Sequence, residues 1–180
     1  MNDSVIPFAL LCFTSFFTLI NPLGTMPVFL SMTTGMTESE RKRIIMKATF
    51  VAFLIMISFT VFGQFLFQVF GLSTNGFRIA GGIVIMKIGY DMLQAHYTHI
   101  KLNEDEKIHF ADDISITPLA IPMLCGPGAI ANGIVLMEDA ETLLKKAILI
   151  FIIAFVFLIT ALILRTSTKL VHFMGETGNN

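Results

Sequence analysis

Five apolar runs, at about residues 5–33, 44–70, 77–95, 114–137 and 147–164, occupy most of the chain. A helix needs roughly 20 apolar residues to cross the hydrocarbon core of a bilayer. Lipid offers no partner to an open backbone group, so such spans must be helical. The rest of the composition agrees: mean hydropathy is +0.78 and only 14% of the residues are charged, against about 25% in a soluble domain. The reading is an all-α, polytopic membrane protein. Net charge is −1, so no global field favours nucleic acid. Cys12 and Cys125 lie in apolar stretches and read as small apolar residues, with no disulfide expected. The start, Met1-Asn2-Asp3-Ser4, has no basic region, so no cleaved signal peptide is expected.

The runs are not alike. The second and fifth are plain spans, whereas the first and fourth are interrupted by Pro and Gly. The first contains Leu19-Ile20-Asn21-Pro22-Leu23-Gly24 and the fourth Leu124-Cys125-Gly126-Pro127-Gly128. Proline inside a helix costs about 3 kcal/mol. At the first helical position the cost vanishes, and Asn or Gly is acceptable before it as the cap. Asn21-Pro22 and Gly126-Pro127 both fit that order, so each predicts a new half-helix starting inside the membrane. Its first N–H groups lack partners and carry a partial positive charge, which suits an anionic group. The preceding half-helices end with carbonyls near Ile20 and Leu124 suited to a cation. Gly24 and Gly128 remove bulk, so that a ligand or a second backbone can approach. The competing reading is a pair of proline kinks filled by neighbouring side chains, since kinks and glycines also serve packing.

The two breaks sit at matching places. Each is followed by Gly, an apolar stretch, a charged connector and an uninterrupted span. Pro22 to Gly71 is 49 positions and Pro127 to Gly175 is 48. The expectation is two inverted three-helix repeats, each with a discontinuous first helix: residues 1–95 with three spans, a polar cytoplasmic connector at 96–113, and residues 114–180 with two spans, the second repeat lacking its third helix. Inverted repeats with broken helices at the midplane are the plan of many secondary transporters. If all five runs cross, one side holds Arg41, Lys42, Arg43, Lys47, Lys101, Lys107, Arg165 and Lys169, and the other Arg78, Lys145 and Lys146. The richer side is normally cytoplasmic, which places the N-terminus outside. A re-entrant fourth run, entering and leaving on one side, is the other topology its short pieces allow.

Lys87 and Asp91 share a helical face within an apolar run. They form either an ion-coupling site, with Lys87 as counter-charge to Asp91, or a pair snorkelling to the nearby cytoplasmic surface. Asn132, one turn into the second half-helix, either faces the solute or bonds to a neighbouring helix. His96, His99 and His109 lie in a charged connector without metal-site spacing, and no cofactor is expected. Thr14, Ser15 and Thr18 precede the first break with no nearby His, so enzyme chemistry gains no support.

The stretches NPLGTMPVFLSMT (Asn21 to Thr33), FRIAGGIVIMKIGYDML (Phe77 to Leu93) and TPLAIPMLCGPGAI (Thr117 to Ile130) resemble the MarC family of bacterial inner-membrane proteins. The resemblance covers almost the whole chain, and part of the family resembles small neutral amino-acid transporters. It implies a bacterial inner-membrane location and a small neutral amino acid or similar solute as substrate, with a proton or Na⁺ as coupling ion and lipid as surroundings. The implied solute site is Asn21, Pro22, Gly24, Gly126, Pro127 and Gly128. Family members normally run on to a sixth span. The alternative is a non-transporting membrane protein that assembles with or regulates a partner.

Overall fold

The structure, a computed structural model, describes residues 5–71, 73–93 and 115–177. The chain winds into α1 (Val5–Ile20), α2 (Pro22–Met32), α3 (Glu38–Phe70), α4 (Thr74–Leu93), α5 (Ser115–Leu124), α6 (Pro127–Asp139) and α7 (Leu143–Thr177). The connector at 96–113, with its three histidines and the acids Glu104, Asp105 and Glu106, lies outside the described residues. Among the described residues no cluster of potential metal ligands occurs.

Three of these segments are long and apolar enough to cross a membrane: Val5–Met32, Glu38–Phe70 and Leu143–Ser167. The third and fourth apolar runs are not among them. α4 carries Arg78, Lys87 and Asp91 within 20 residues, and the fourth run is split into pieces of 10 and 13. α3 begins six residues before its apolar run because Thr37 and Glu40 form a capping box. The Thr37 N–H donates to Glu40 Oε2 at 2.7 Å, and the Glu40 N–H donates to Thr37 Oγ1 at 3.3 Å. Such a box satisfies two orphan donors at once. Arg41 Nε and Nη2 donate to the Thr33 carbonyl at 3.2 and 3.0 Å, fastening the end of α2 to the start of α3. At its other end α3 stops at Gly71, whose φ of 63° is the left-handed conformation glycine adopts without cost. The expected counterpart, Gly175, does not end α7, which continues to Thr177.

α3 is the backbone of the bundle, packing against α5, α6 and α7. α1 and α2 both lie on α7, and α4 lies on α6. The core is apolar and fully buried at Phe16, Ile20, Phe29, Ile45, Met56, Leu124, Ile153 and Val156. Cys12 and Cys125 are buried in it and not joined. The outer faces are equally apolar: Phe50, Phe62, Phe65, Phe151 and Leu158 are all exposed. Side chains of that kind over several helices form a surface suited to hydrocarbon rather than water.

Glycines let the helices approach closely where α6 is seated. A Cβ on Gly63 of α3 would lie 2.5 Å from Ile134, and one on Gly81 of α4 would lie 3.1 Å from the Ala131 Cβ. A Cβ on Gly133 would collide with Thr60 Oγ1 and lie 3.6 Å from the Phe16 ring. Small residues at such crossings are how helices associate without a hydrophobic driving force. Thr60 is unusual within this seam. Thr33, Thr49 and Thr160 each donate to the carbonyl four residues back. Thr60 Oγ1 is buried with no partner among the described residues. An unsatisfied buried hydroxyl costs about 1–3 kcal/mol, whereas an apolar group of the same shape carries no such penalty. Thr60→Val is therefore expected to raise the stability of the purified protein by about 1 kcal/mol, read as an upward shift of its melting temperature. A fall of that size would show that the hydroxyl has a partner.

Candidate functional site

Both predicted breaks are present. At the first, Asn21 stands between α1 and α2 with φ 47° and ψ 61°, the one non-glycine residue with positive φ among the described residues. That conformation costs most L-residues about 1–2 kcal/mol, and Asn is among the few that adopt it. The Asn21 N–H still closes α1 by donating to the Phe17 carbonyl at 3.1 Å. Its own carbonyl opens α2, accepting from the Thr25 N–H at 3.0 Å and from Thr25 Oγ1 at 3.1 Å. Its side-chain Oδ1 accepts from the Gly24 N–H at 3.1 Å. One asparagine thus ends one helix and caps the next. Pro22 and Pro27 contribute no N–H, so the carbonyls of Thr18 and Leu23, four residues before each, receive no bond from them.

Gly24 makes room for this cap. A Cβ there would overlap the Asn21 amide, with Cγ at 2.8 Å. The space that the sequence assigned to a ligand or a second backbone is thus taken, on this side, by the cap itself.

The second break is built differently. α5 is a π-helix over Ser115–Leu124, and the Cys125 N–H reaches back five residues to the Ala120 carbonyl at 2.9 Å. Pro118 and Pro122 withhold two donors from any ladder of four-residue spacing. Gly126 then adopts an extended conformation, with φ −78° and ψ 161°, and caps α6 without a side-chain bond. Pro127 takes the first helical position, and its carbonyl neighbour Gly126 accepts from the Ile130 N–H at 3.0 Å. Gly128 is buried.

The two interrupted segments are laid against each other in reverse. α1, before the first break, packs on α6, after the second; α2, after the first, packs on α5, before the second. The contact between α1 and α6 includes a hydrogen bond from Asn132 Nδ2 to Ser15 Oγ at 3.0 Å. Ser15 lies six residues before Asn21, and Asn132 lies six residues after Gly126. Equal offsets on antiparallel partners bring the two breaks to a similar depth in the bundle. Of the two readings of Asn132, the bond to a neighbouring helix is present. It uses one of the amide's two N–H groups, leaving the second and Oδ1 for another partner.

Polar groups that the sequence did not single out gather around the same helix. Gln64 Nε2, from α3, donates to the Ile134 carbonyl at 3.3 Å. Arg78, from the start of α4, donates from Nη2 to Asp139 Oδ1 at 2.6 Å, and the same nitrogen is 3.5 Å from Glu138 Oε2. A cleft of about 180 Å³ opens between α4 and α6, lined by Phe77, Arg78, Gly81, Gly82, Ala131, Asn132 and Val135. In the sequence Arg78 stands out only as a topology charge. Lys87 is exposed on α4; Asp91 lies in the same helix, and its side chain falls outside the described residues.

The MarC family integral membrane protein model matches residues 6–180. The UPF0056 membrane protein YvbG of Bacillus subtilis is 37% identical over 171 residues, covering 93% of this chain and 81% of the relative. The UPF0056 membrane protein MJ0972 of the archaeon Methanocaldococcus jannaschii is 33% identical, covering 98% of this chain and 78% of its own length. A UPF0056 membrane protein of Buchnera aphidicola is 38% identical over 171 residues, 93% of this chain and 79% of its own. No solved structure matches. Matched by the family model over nearly its whole length and by relatives from bacteria and an archaeon, the chain belongs to the MarC family and is a multi-pass integral membrane protein.

Proposed function

We propose that this protein is a secondary transporter of small neutral solutes, amino acids such as alanine, glycine or serine among them, working by alternating access. The observation that carries the proposal is the reversed pairing of the two interrupted segments, α1 on α6 and α2 on α5, with Asn21 and Gly126 at matching depth. Broken helices that meet inside a bundle offer N–H groups to a carboxylate and carbonyls to an ammonium or a cation. A zwitterion has both ends. In this reading the segments around Asn21-Pro22-Gly24 and Gly126-Pro127-Gly128 belong to two inverted repeats, and one repeat rocks against the other. The protein sits in the cytoplasmic membrane with its N-terminus outside, and a proton or Na⁺ gradient supplies the drive, with Asp91 and Lys87 as the coupling pair.

The test is reconstitution. Proteoliposomes loaded with alanine are expected to exchange it for labelled external alanine, and a proton or Na⁺ gradient is expected to drive net uptake. No exchange of alanine, glycine or serine under any ion gradient would remove the proposal.

One observation favours a second reading, a non-transporting membrane protein that assembles with or regulates a partner. Gly63, Gly81 and Gly133 all serve close helix contact, and the space beside Gly24 is filled by Asn21. On that reading the breaks are packing features, and the reconstituted protein stays silent while remaining folded.

A further inference from the structure

We propose that the cleft between α4 and α6 is a solute-binding site in which Arg78 takes a carboxylate and Glu138 with Asp139 takes an ammonium group. The proposal deepens the transport reading, on which it rests for its substrate, and adds a place outside the helix breaks where selection occurs.

The lining residues converge by helical spacing. Phe77, Arg78, Gly81 and Gly82 recur on one face of α4, and Ala131, Asn132 and Val135 on one face of α6. Glu138 and Asp139 follow on that same α6 face, about 10 Å beyond Asn132 at 1.5 Å per residue. The cleft therefore has a charged mouth and an amide floor.

The donors available match a carboxylate. Both acidic contacts of Arg78 fall on Nη2, so Nε and Nη1 of its five-donor fork remain for a ligand. At the floor, Asn132 gives one N–H to Ser15 and keeps the other. The acceptors match an ammonium. Glu138 and Asp139 bring two carboxylates to a single guanidinium, all of them about two-fifths exposed. One guanidinium against two carboxylates leaves a net charge of −1 at the mouth, which opposes a second negative charge on the solute. A bare cation leaves the free Nε and Nη1 donors of Arg78 without an acceptor. A zwitterion meets both groups with opposite signs.

Size narrows the class further. A volume of about 180 Å³ holds roughly six waters, which is room for a small amino acid such as alanine. Gly82 keeps that volume open: a Cβ there meets nothing within 4 Å. Gly81 lets α4 lie close to α6, where its Cβ would come to 3.1 Å from Ala131. The ion pair from Arg78 to Asp139 also joins α4 to α6 across the mouth, so a solute that takes over Arg78 loosens the link between these helices.

The experiment is thermal unfolding of the purified full chain with alanine, propionate and ethylamine as probes, since stabilisation follows binding by mass action. Alanine is expected to raise the melting temperature in a saturable way, and propionate and ethylamine, each carrying one half of its charge, are not. Arg78→Gln and Gly82→Leu are each expected to weaken the apparent alanine affinity by about tenfold or more. Gly82→Leu enters open space, so its melting temperature without solute stays near wild type and separates lost binding from lost fold. The proposal is overturned if alanine has no effect on the wild type, if propionate stabilises as well as alanine does, or if both variants keep wild-type affinity. Flux is measured separately on the same preparations. Flux with unchanged binding in both variants removes this site and leaves transport standing; binding without flux removes transport and leaves the site.

Discussion

Gly24→Leu is expected to bring solute exchange in proteoliposomes to background while the protein still inserts and purifies. Replacing glycine inside a helix normally stabilises it, by up to about 1 kcal/mol for alanine. Here a Cβ would overlap the Asn21 amide, its Cγ lying only 2.8 Å away, so the amide must leave its bond to the Gly24 N–H. Loss of an asparagine cap costs about 1 kcal/mol. Asn21 also stands in the left-handed region, a conformation this bond helps to hold. The lost cap and the steric overlap together offset the helix gain, and the geometry of the break changes with them. Gly24→Ala is expected to show the same effect in milder form, with a lower melting temperature despite its better helix propensity. Wild-type exchange by the leucine variant would mean that the Asn21 break takes no part in moving solute.

The second large effect is on stability. Gly133→Leu is expected to cost about 3 kcal/mol or more, above the usual 1–3 kcal/mol of an overpacked core, and to leave little monodisperse protein in detergent. Gly133 lies where α6 meets both α3 and α1. Its Cβ would collide with Thr60 Oγ1, and the Phe16 ring stands 3.6 Å off. Phe16 is fully buried and Thr60 likewise, so neither has solvent to retreat into. α6 cannot shift away, because Gly81 already places α4 against Ala131 on another side. Gly133→Ala tests the same contact more gently, and Thr60→Ala in the same chain is expected to recover much of the loss, since neighbours that collide are coupled. A melting temperature for Gly133→Leu equal to that of wild type would show that α6 is not seated as described.

The contrast among glycines is instructive. Gly24, Gly63, Gly81 and Gly133 have a neighbour within 3.1 Å of a built Cβ, while Gly82 has none. In the sequence all five are glycines in apolar runs, and only Gly24 drew notice, through its place beside Asn21-Pro22. The breaks themselves were legible because their cause is local: a proline withholds its N–H wherever it stands. The start of α3 has an equally local cause, the bond between Thr37 and Glu40, yet it lies ahead of the apolar run that marked the helix. The left-handed twist of Asn21 was not legible. Asn21-Pro22 announces a cap, and whether that cap takes an extended or a left-handed backbone depends on how the two half-helices must be aimed. Gly126 at the other break took the extended form.

Chain chemistry alone determined that this is a helical membrane protein with two interrupted apolar segments, since hydrocarbon permits only helices and proline interrupts them in any surroundings. Which faces of those helices meet was decided by the bundle. A helix apolar on every side carries no stripe to say which face packs inward and which meets lipid. Thr60 and Gln64 therefore stood unmarked in a plain span, and Arg78 looked like a charge at a helix end. Their neighbours across the bundle, Gly133, Ile134 and Asp139, lie at least 61 residues away along the chain. Only packing across the bundle brings groups at such separations together, and the cleft between α4 and α6 exists nowhere else.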